Sequence, residues 1–488
     1  MKSNLLKRSF LLTTMVLILV FAFSAIASAT EPDFVIQDGK TQPFVNMNAL
    51  IHEELWIESP TDSDNDGERD LLYVKITRPS ETEAGLKSPA LVSLSPYDVS
   101  VWEPIWSELR VVDKDYDHPD NPDTTSKTYA DVEFDGHTYD EIVAANFNPT
   151  WLPEQRVAMQ TGDATRVNAW LGGTNWRNYF VSRGYAAVSV HMIGGFMSEG
   201  LLQDGGYDEN VASAAIVDWL NGRIKGFTSA KEGNGWVEVK ADWTNGKVAM
   251  NGTSYDGSLP LAAAVTGVEG LETIIPEAPV FSYYDYYRSN GMVWAPGGWQ
   301  GEDSTCLLAI CNTRGEEGSP TPYTEAEAKY AQEMIEQMRI DVDRTTGDYS
   351  KFWDERNMAR YAENIKCSIL MTHGYEDWNV KFKQTALIWE ACEKYDIVHK
   401  AIFHRGAHQS ALGYDGLDIY GKLQGWLDYH LLGIENGMPD AMPAVSMLNN
   451  TTMKWEEFDT WPIGDNEFTS IYFVTRMSST RQKFLACA

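Results

Sequence analysis

Residues 247–265 constrain this chain more than any other stretch. Lys247-Val248-Ala249-Met250 is short and apolar, Gly252-Thr253-Ser254-Tyr255-Asp256-Gly257 is a turn, and Leu259-Pro260-Leu261-Ala262-Ala263-Ala264 opens a helix. A buried strand that turns sharply into a helix belongs to a parallel sheet with helical crossovers. The flanking pattern agrees. Residues 71–76 alternate as a strand, and 89–94 and 185–190 are apolar strand runs. Residues 176–183 read as a short helix, and residues 208–221 place Val211, Ala215, Val217, Trp219 and Leu220 at helical spacing. After residue 365 the alternation resumes with a strand at 368–372, a helix at 385–394, a strand at 399–403 and an amphipathic helix at 417–432. The expected fold class is α/β, with a mainly parallel sheet covered on both faces.

Two stretches interrupt this pattern. Residues 101–166 form a long polar insertion without sustained period, of the kind that is usually functional. Residues 304–365 lose strand character and read as helices, at 324–340 and 352–361, so a helical cap is expected there. The chain opens with Lys2, Lys7 and Arg8, an apolar run from Leu11 to Phe23, and Ala27-Ser28-Ala29 as a cleavage site. That run falls short of the ~20 residues a spanning helix needs. Residues 1–29 are therefore expected to be a signal peptide, with an uncleaved anchor as the alternative, and the mature protein is expected to be secreted. A formal charge of −31 disfavours nucleic acid and anionic membranes as partners. Cys306, Cys311, Cys367, Cys392 and Cys487 show neither a Cys-x-x-Cys pair nor a histidine at zinc spacing, and buried thiols are expected.

The turn at Ser254 has the layout of a nucleophile elbow, in which a sharp bend lifts a serine hydroxyl above the sheet. Its second glycine, Gly257, stands three residues after the serine rather than two. Such a serine needs a histidine base, and a carboxylate to orient that base, each just beyond a later strand. Of nine histidines, His373, His399, His404, His408 and His430 follow Ser254. His408 alone lies on a loop, Gly406-Ala407-His408, after a strand. The loop after residues 368–372 offers Asp377, with Glu376 as the alternative. The amide of Tyr255 and the hydroxyl of Tyr97, in Ser95-Pro96-Tyr97-Asp98, are candidate donors to an oxyanion.

With these residues in place the chain resembles the X-prolyl dipeptidyl aminopeptidases, relatives of the cocaine esterases and α-amino acid ester hydrolases. The resemblance runs from about Asp62 to Leu432. It is most specific at residues 246–257, 266–272, Tyr286-Tyr287-Arg288 and 296–303, with further blocks at Ser198-Glu199-Gly200, 218–223 and 352–356. It implies an α/β-hydrolase core, a helical cap and a C-terminal jelly-roll β-domain, with Ser254, Asp377 and His408 as the triad and Tyr97 with Tyr255 as the oxyanion hole. It also implies that Glu302, helped by Tyr286, holds a substrate's free amine. Tyr283, Tyr287 and Trp299 would suit a proline ring. The implied activity is release of Xaa-Pro dipeptides from peptides with a penultimate proline, with an esterase or acylase as the alternative. A homodimer is allowed for, and no organic cofactor is expected.

Two features stand apart. Asp62-Ser63-Asp64-Asn65-Asp66-Gly67-Glu68-Arg69-Asp70 resembles the start of a calcium loop, with Asp62, Asp64, Asp66 and Asp70 as ligands. Tyr73 stands where the bidentate glutamate belongs, so a polar hairpin turn is the competing reading. The tail beyond Glu467 carries Arg476, Arg481 and Lys483 and no acid, and too few residues follow 435 for the eight or so strands of a jelly roll. The expected division is a leader at 1–29, core at 30–303, cap at 304–365, core at 366–435, and a truncated or naturally short jelly-roll segment at 436–488.

Overall fold

The computed structural model describes residues 32–97, 173–229, 236–288, 304–315, 319, 321–344 and 346–464. The leader at 1–29, the insertion at 101–166, Trp299, Glu302, Cys487 and the tail beyond 464 lie outside them. A twelve-stranded sheet organises the rest. From edge to edge it runs Trp455–Phe458, Val445–Leu448, His399–His404, Ser368–Gly374, Leu271–Glu277 and Thr244–Thr253. It continues through Ser88–Ser95, Ala186–His191, Leu71–Arg78, Ile51–Glu58, Gly226–Ser229 and Trp236–Val239. Every pairing from Val445–Leu448 across to Ala186–His191 is parallel, and antiparallel strands flank that block on both sides. The expected α/β class is the one observed.

Successive residues of a strand face opposite sides of the sheet, and here both sides are apolar. Met250, Ile274, Met371 and Phe403 enter one core cluster, with the helix Tyr255–Val265. Their neighbours Ala249, Ile275, Leu370 and Ile402 enter a second, with Trp426 and Leu427 of the helix Ile419–Leu432. That is why these strands read as continuous apolar runs rather than as alternations. The Trp426 Nε1–H donates to Thr273 Oγ1 at 2.7 Å, fixing the last helix on the sheet. The N-terminal hairpin is tied to the same helix, since Thr41 N–H and Oγ1–H both donate to Asp428, at 2.8 and 2.9 Å. Among the described residues no helix is long and apolar enough to cross a membrane.

Among the described residues of 304–365 the elements are helices, beginning with Ser304–Cys311 and Glu325–Asp341. Thr324 caps the helix Glu325–Asp341 through a reciprocal box with Glu327. The single helix expected at 352–361 is instead two pieces, Lys351–Glu355 and a 3₁₀ turn at Met358–Asn364. Asn357 breaks it by leaving helical dihedrals, bridging to Ser282, and accepting the Ala359 N–H with its side chain. Past residue 435 the described chain adds two strands to the main sheet. Val445–Leu448 pairs in parallel with His399–His404, and Trp455–Phe458 pairs antiparallel with it. Buried Val445 and Leu448 complete the main sheet, whose open backbone edge takes the chain after the last helix.

Candidate active site

Ser254 sits between the strand Thr244–Thr253 and the helix Tyr255–Val265 with φ 67° and ψ −127°. A non-glycine residue at positive φ costs about 1–3 kcal/mol and persists only where its surroundings over-determine it. They do so here. Ser254 N–H donates to Glu277 O at 2.9 Å, and its carbonyl accepts from the amides of Gly257 and Ser258 at 3.0 and 2.9 Å. The glycine spacing follows from the same geometry. A Cβ on Gly252 would meet Asp256 O at 2.2 Å, and one on Gly257 would meet both Glu277 O and Gly252 O at 2.7 Å. The first helical turn crosses the neighbouring strand at Gly257, so the second glycine is needed three residues after the serine.

The acid and the base arrive on adjacent strand ends. Tyr375 N–H donates to His404 O at 2.9 Å and Glu376 N–H to Gly406 O at 3.2 Å, pinning the two loops together. Gly374 permits this approach, since a Cβ there would meet Gly406 O at 2.2 Å. Asp377 Oδ2 accepts from His408 Nδ1 at 2.6 Å, while Oδ1 accepts the amides of Asn379 and Val380 at 2.9 and 3.0 Å. Burial alone would raise this carboxyl's pKa, but hydrogen bonds from His373 and His408 hold it down at about 2. Glu376, the alternative acid, is half exposed and faces Arg405. The Nε2 of His408 is buried, and no hydrogen bond to it occurs among the described residues. That leaves the ring orientation set by Asp377 and the other nitrogen open to a proton.

Tyr255 occupies the first position of its helix, where an N–H has no carbonyl of its own helix to meet. The Tyr97 ring packs edge-on to the Tyr255 ring at 5.9 Å between centroids. Burial raises the Tyr97 pKa well above its ordinary value, so the phenol keeps its proton and can donate. Tyr286 donates through its hydroxyl to Asn379 Oδ1 at 2.7 Å, linking it to the acid loop. Tyr283 and Tyr287 are only 2% and 1% exposed. Tyr283 packs on Tyr255, and Tyr287 donates to Asp204 at 3.0 Å. Asp204, fully buried, has its pKa pushed up to about 7, chiefly by burial.

The acidic loop is only partly assembled as expected. Carboxylate oxygens of Asp62, Asp64 and Asp66 lie within 4.8 Å of one another. Asp70 does not join them, because it accepts from Ser63 N and Oγ at 2.9 and 2.7 Å. Asp64 is neutralised by Arg314, 2.5 Å away and buried, which also binds Glu327 at 2.9 Å. The loop thus serves as an anchor for the cap.

One residue at the centre of the site carries no sequence signature. Glu277, 1% exposed, accepts from the hydroxyls of Thr253 and Thr372 at 2.7 and 2.9 Å and from Ala411 N–H at 2.7 Å. The Ser410 hydroxyl also bonds to it. Its neighbours in the chain, Ile275, Pro276 and Ala278, give no hint that a carboxylate is buried there.

A serine on a strained strand-to-helix turn of a parallel sheet, with an aspartate-bound histidine beyond it, is the layout of the α/β serine hydrolases. Comparison with known proteins narrows the class. The family model for the X-Pro dipeptidyl-peptidases (S15 family) matches residues 66–410, and the chain belongs to that family. It is 38% identical over 430 residues to the Xaa-Pro dipeptidyl-peptidase of Lactiplantibacillus plantarum, covering 87% of this chain and 50% of that protein. It is 37% identical over 462 residues to that of Ligilactobacillus salivarius, covering 93% and 54%. The chain thus spans about half the length of these curated relatives. Among solved structures, a CocE/NonD family hydrolase from Staphylococcus aureus aligns with a TM-score of 0.49 at 14% identity, over 90% of this chain and 63% of that one.

Proposed function

We propose that the chain is a serine exopeptidase that releases Xaa-Pro dipeptides from peptide N-termini. The observation that carries this reading is the 2.6 Å bond from His408 Nδ1 to Asp377, with Ser254 held on its elbow. Ser254 Oγ attacks the prolyl carbonyl as its proton passes to His408 Nε2. The oxyanion takes hydrogen bonds from Tyr255 N–H and the Tyr97 hydroxyl. The peptide C–N bond breaks as His408 returns the proton to the leaving amine. Water then gives a proton to His408 and attacks the acyl-enzyme, and Ser254 recovers its hydrogen as Xaa-Pro departs.

The free amine of the substrate is assigned to Glu302, helped by Tyr286, and the proline ring to the neighbourhood of Trp299, Tyr283 and Tyr287. Residues 1–29 are assigned to export, which the mass of the mature N-terminus tests.

Wild type should release nitroaniline from Ala-Pro-nitroanilide, and Ser254→Ala should lose about a thousandfold or more of that rate. Retention of activity within tenfold would remove Ser254 from the mechanism. Turnover of simple esters without Xaa-Pro cleavage would replace the peptidase by an esterase.

A further inference from the structure

We propose that Glu277 is a positioning residue that holds the three triad-bearing loops in one register. The proposal rests on the assignment of Ser254, Asp377 and His408 given above. Glu277 ends the strand lying between the strand that leads to Ser254 and the strand that leads to Asp377, directly across from Thr253 and Thr372. Its carboxylate takes the hydroxyl of Thr253, the residue before Ser254, and that of Thr372, at the foot of the acid loop. It also takes Ala411 N–H, where the loop carrying His408 closes. The Ser410 hydroxyl donates to Glu277 while its oxygen accepts Leu412 N–H at 3.2 Å, which turns that loop inward. The Glu277 backbone carbonyl meanwhile receives Ser254 N–H at 2.9 Å. One side chain and one peptide oxygen thus touch the roots of all three loops.

The chemistry explains why the residue is an acid. Four uncharged donors converge on two oxygens that can accept them, and although burial raises the Glu277 pKa, those donors pull it back toward the carboxylate form. A glutamine at this place offers one accepting oxygen and two unwanted hydrogens. A threonine hydroxyl can reverse to accept from such an amide, but Ala411 N–H cannot. The amide must therefore keep its oxygen on Ala411 and loosen its hold on the serine side. Because the Glu277 side chain reaches Ser254 and His408 only through other residues, its loss should change how the serine and histidine align, not how substrate binds.

The test is kinetic. Glu277→Gln should lower kcat on Ala-Pro-nitroanilide by about tenfold to a hundredfold, the worth of one hydrogen bond to a charged group, with KM within about twofold. Counting sites with a fluorophosphonate corrects the rate for any unfolded fraction. Thr372→Val and Thr253→Val are milder variants that each remove one donor. In a double-mutant cycle, Thr253→Val, whose hydroxyl meets the oxygen that becomes the NH₂, should cost much less in the Glu277→Gln background than in wild type. Unchanged kcat per labelled site in Glu277→Gln, a loss confined to KM, or strict additivity in the cycle would each overturn the proposal. If wild type takes the fluorophosphonate yet leaves Ala-Pro-nitroanilide intact, the substrate reading fails alone. Glu277 is then judged on labelling rate, which the variant should slow by the same factor. Wild type that neither cleaves nor labels would overturn both.

Discussion

Replacing Asp377 by asparagine should inactivate the protein through a misplaced proton rather than through misfolding. Two backbone amides, those of Asn379 and Val380, point at Asp377 Oδ1 from 2.9 and 3.0 Å. In Asp377→Asn they must be met by the amide oxygen, because an NH₂ group there would face two donors. That choice places the NH₂ where Oδ2 stood, 2.6 Å from His408 Nδ1. His408 Nδ1 must then accept, so its hydrogen moves to Nε2, the atom that has to take the proton from Ser254. In serine proteases this wrong tautomer costs about 10⁴ in kcat, or about 5 kcal/mol of transition-state stabilisation. The assay is kcat/KM on Ala-Pro-nitroanilide for wild type, Asp377→Asn and, as a control, Glu376→Gln. Glu376 faces Arg405 at the surface, and its variant should stay within about twofold of wild type, as surface changes do. Asp377→Asn retaining more than a tenth of wild-type kcat/KM would refute the proton argument. So would a crystal structure of the variant with the asparagine NH₂ on the Val380 side.

Arg314→Ala should destabilise the fold by about 3–5 kcal/mol, because Asp64 and Glu327 would be left buried without their cation. A denaturant midpoint implying under about 1 kcal/mol would show that those acids find other partners. Gly257→Ala places a methyl 2.7 Å from two carbonyl oxygens and should cost about 1–3 kcal/mol together with most activity. Wild-type Tm and rate in that variant would refute the account of the glycine spacing. Burial lowers the His430 pKa to about 4 from an ordinary 6.5. Between those values the unfolded chain binds the proton and the folded one does not, so the contribution of neutral His430 is lost as pH falls through that window. The Tm of wild type minus that of His430→Gln should therefore shrink from pH 7 to pH 4.5, and a constant difference would contradict this.

The parts of the site that rest on local pattern were legible in the amino-acid order. A strand, a glycine turn and a helix are contiguous, so Ser254 could be found without the fold. Asp377 and His408 each follow an apolar strand closely enough to be located by chain order. What escaped depends on pairing between distant segments. Glu277 meets Thr253, Thr372 and Ala411 across 24, 95 and 134 residues, and a glutamate at a strand end looks like any surface acid until the sheet is assembled. The sheet membership of the final described strands was illegible for a related reason. Short fragments such as Val445–Leu448 carry no mark of which sheet edge they will join, and the vacant edge beside His399–His404 decides it. The break at Asn357 came from a tertiary bridge to Ser282, against a local pattern that favoured one helix.

The anchoring of the cap by Arg314 also bears on how the helical segment can move. This one cation grips Asp64 and the Gly200 carbonyl on the sheet side, and Glu327 and the Thr321 carbonyl on the helical side. Swinging the helical segment outward as a hinged door would drag a guanidinium out of two carboxylates inside the protein, a toll far above thermal energy. Any movement of the helical segment therefore belongs to the stretches between these anchors, not to rotation about Arg314.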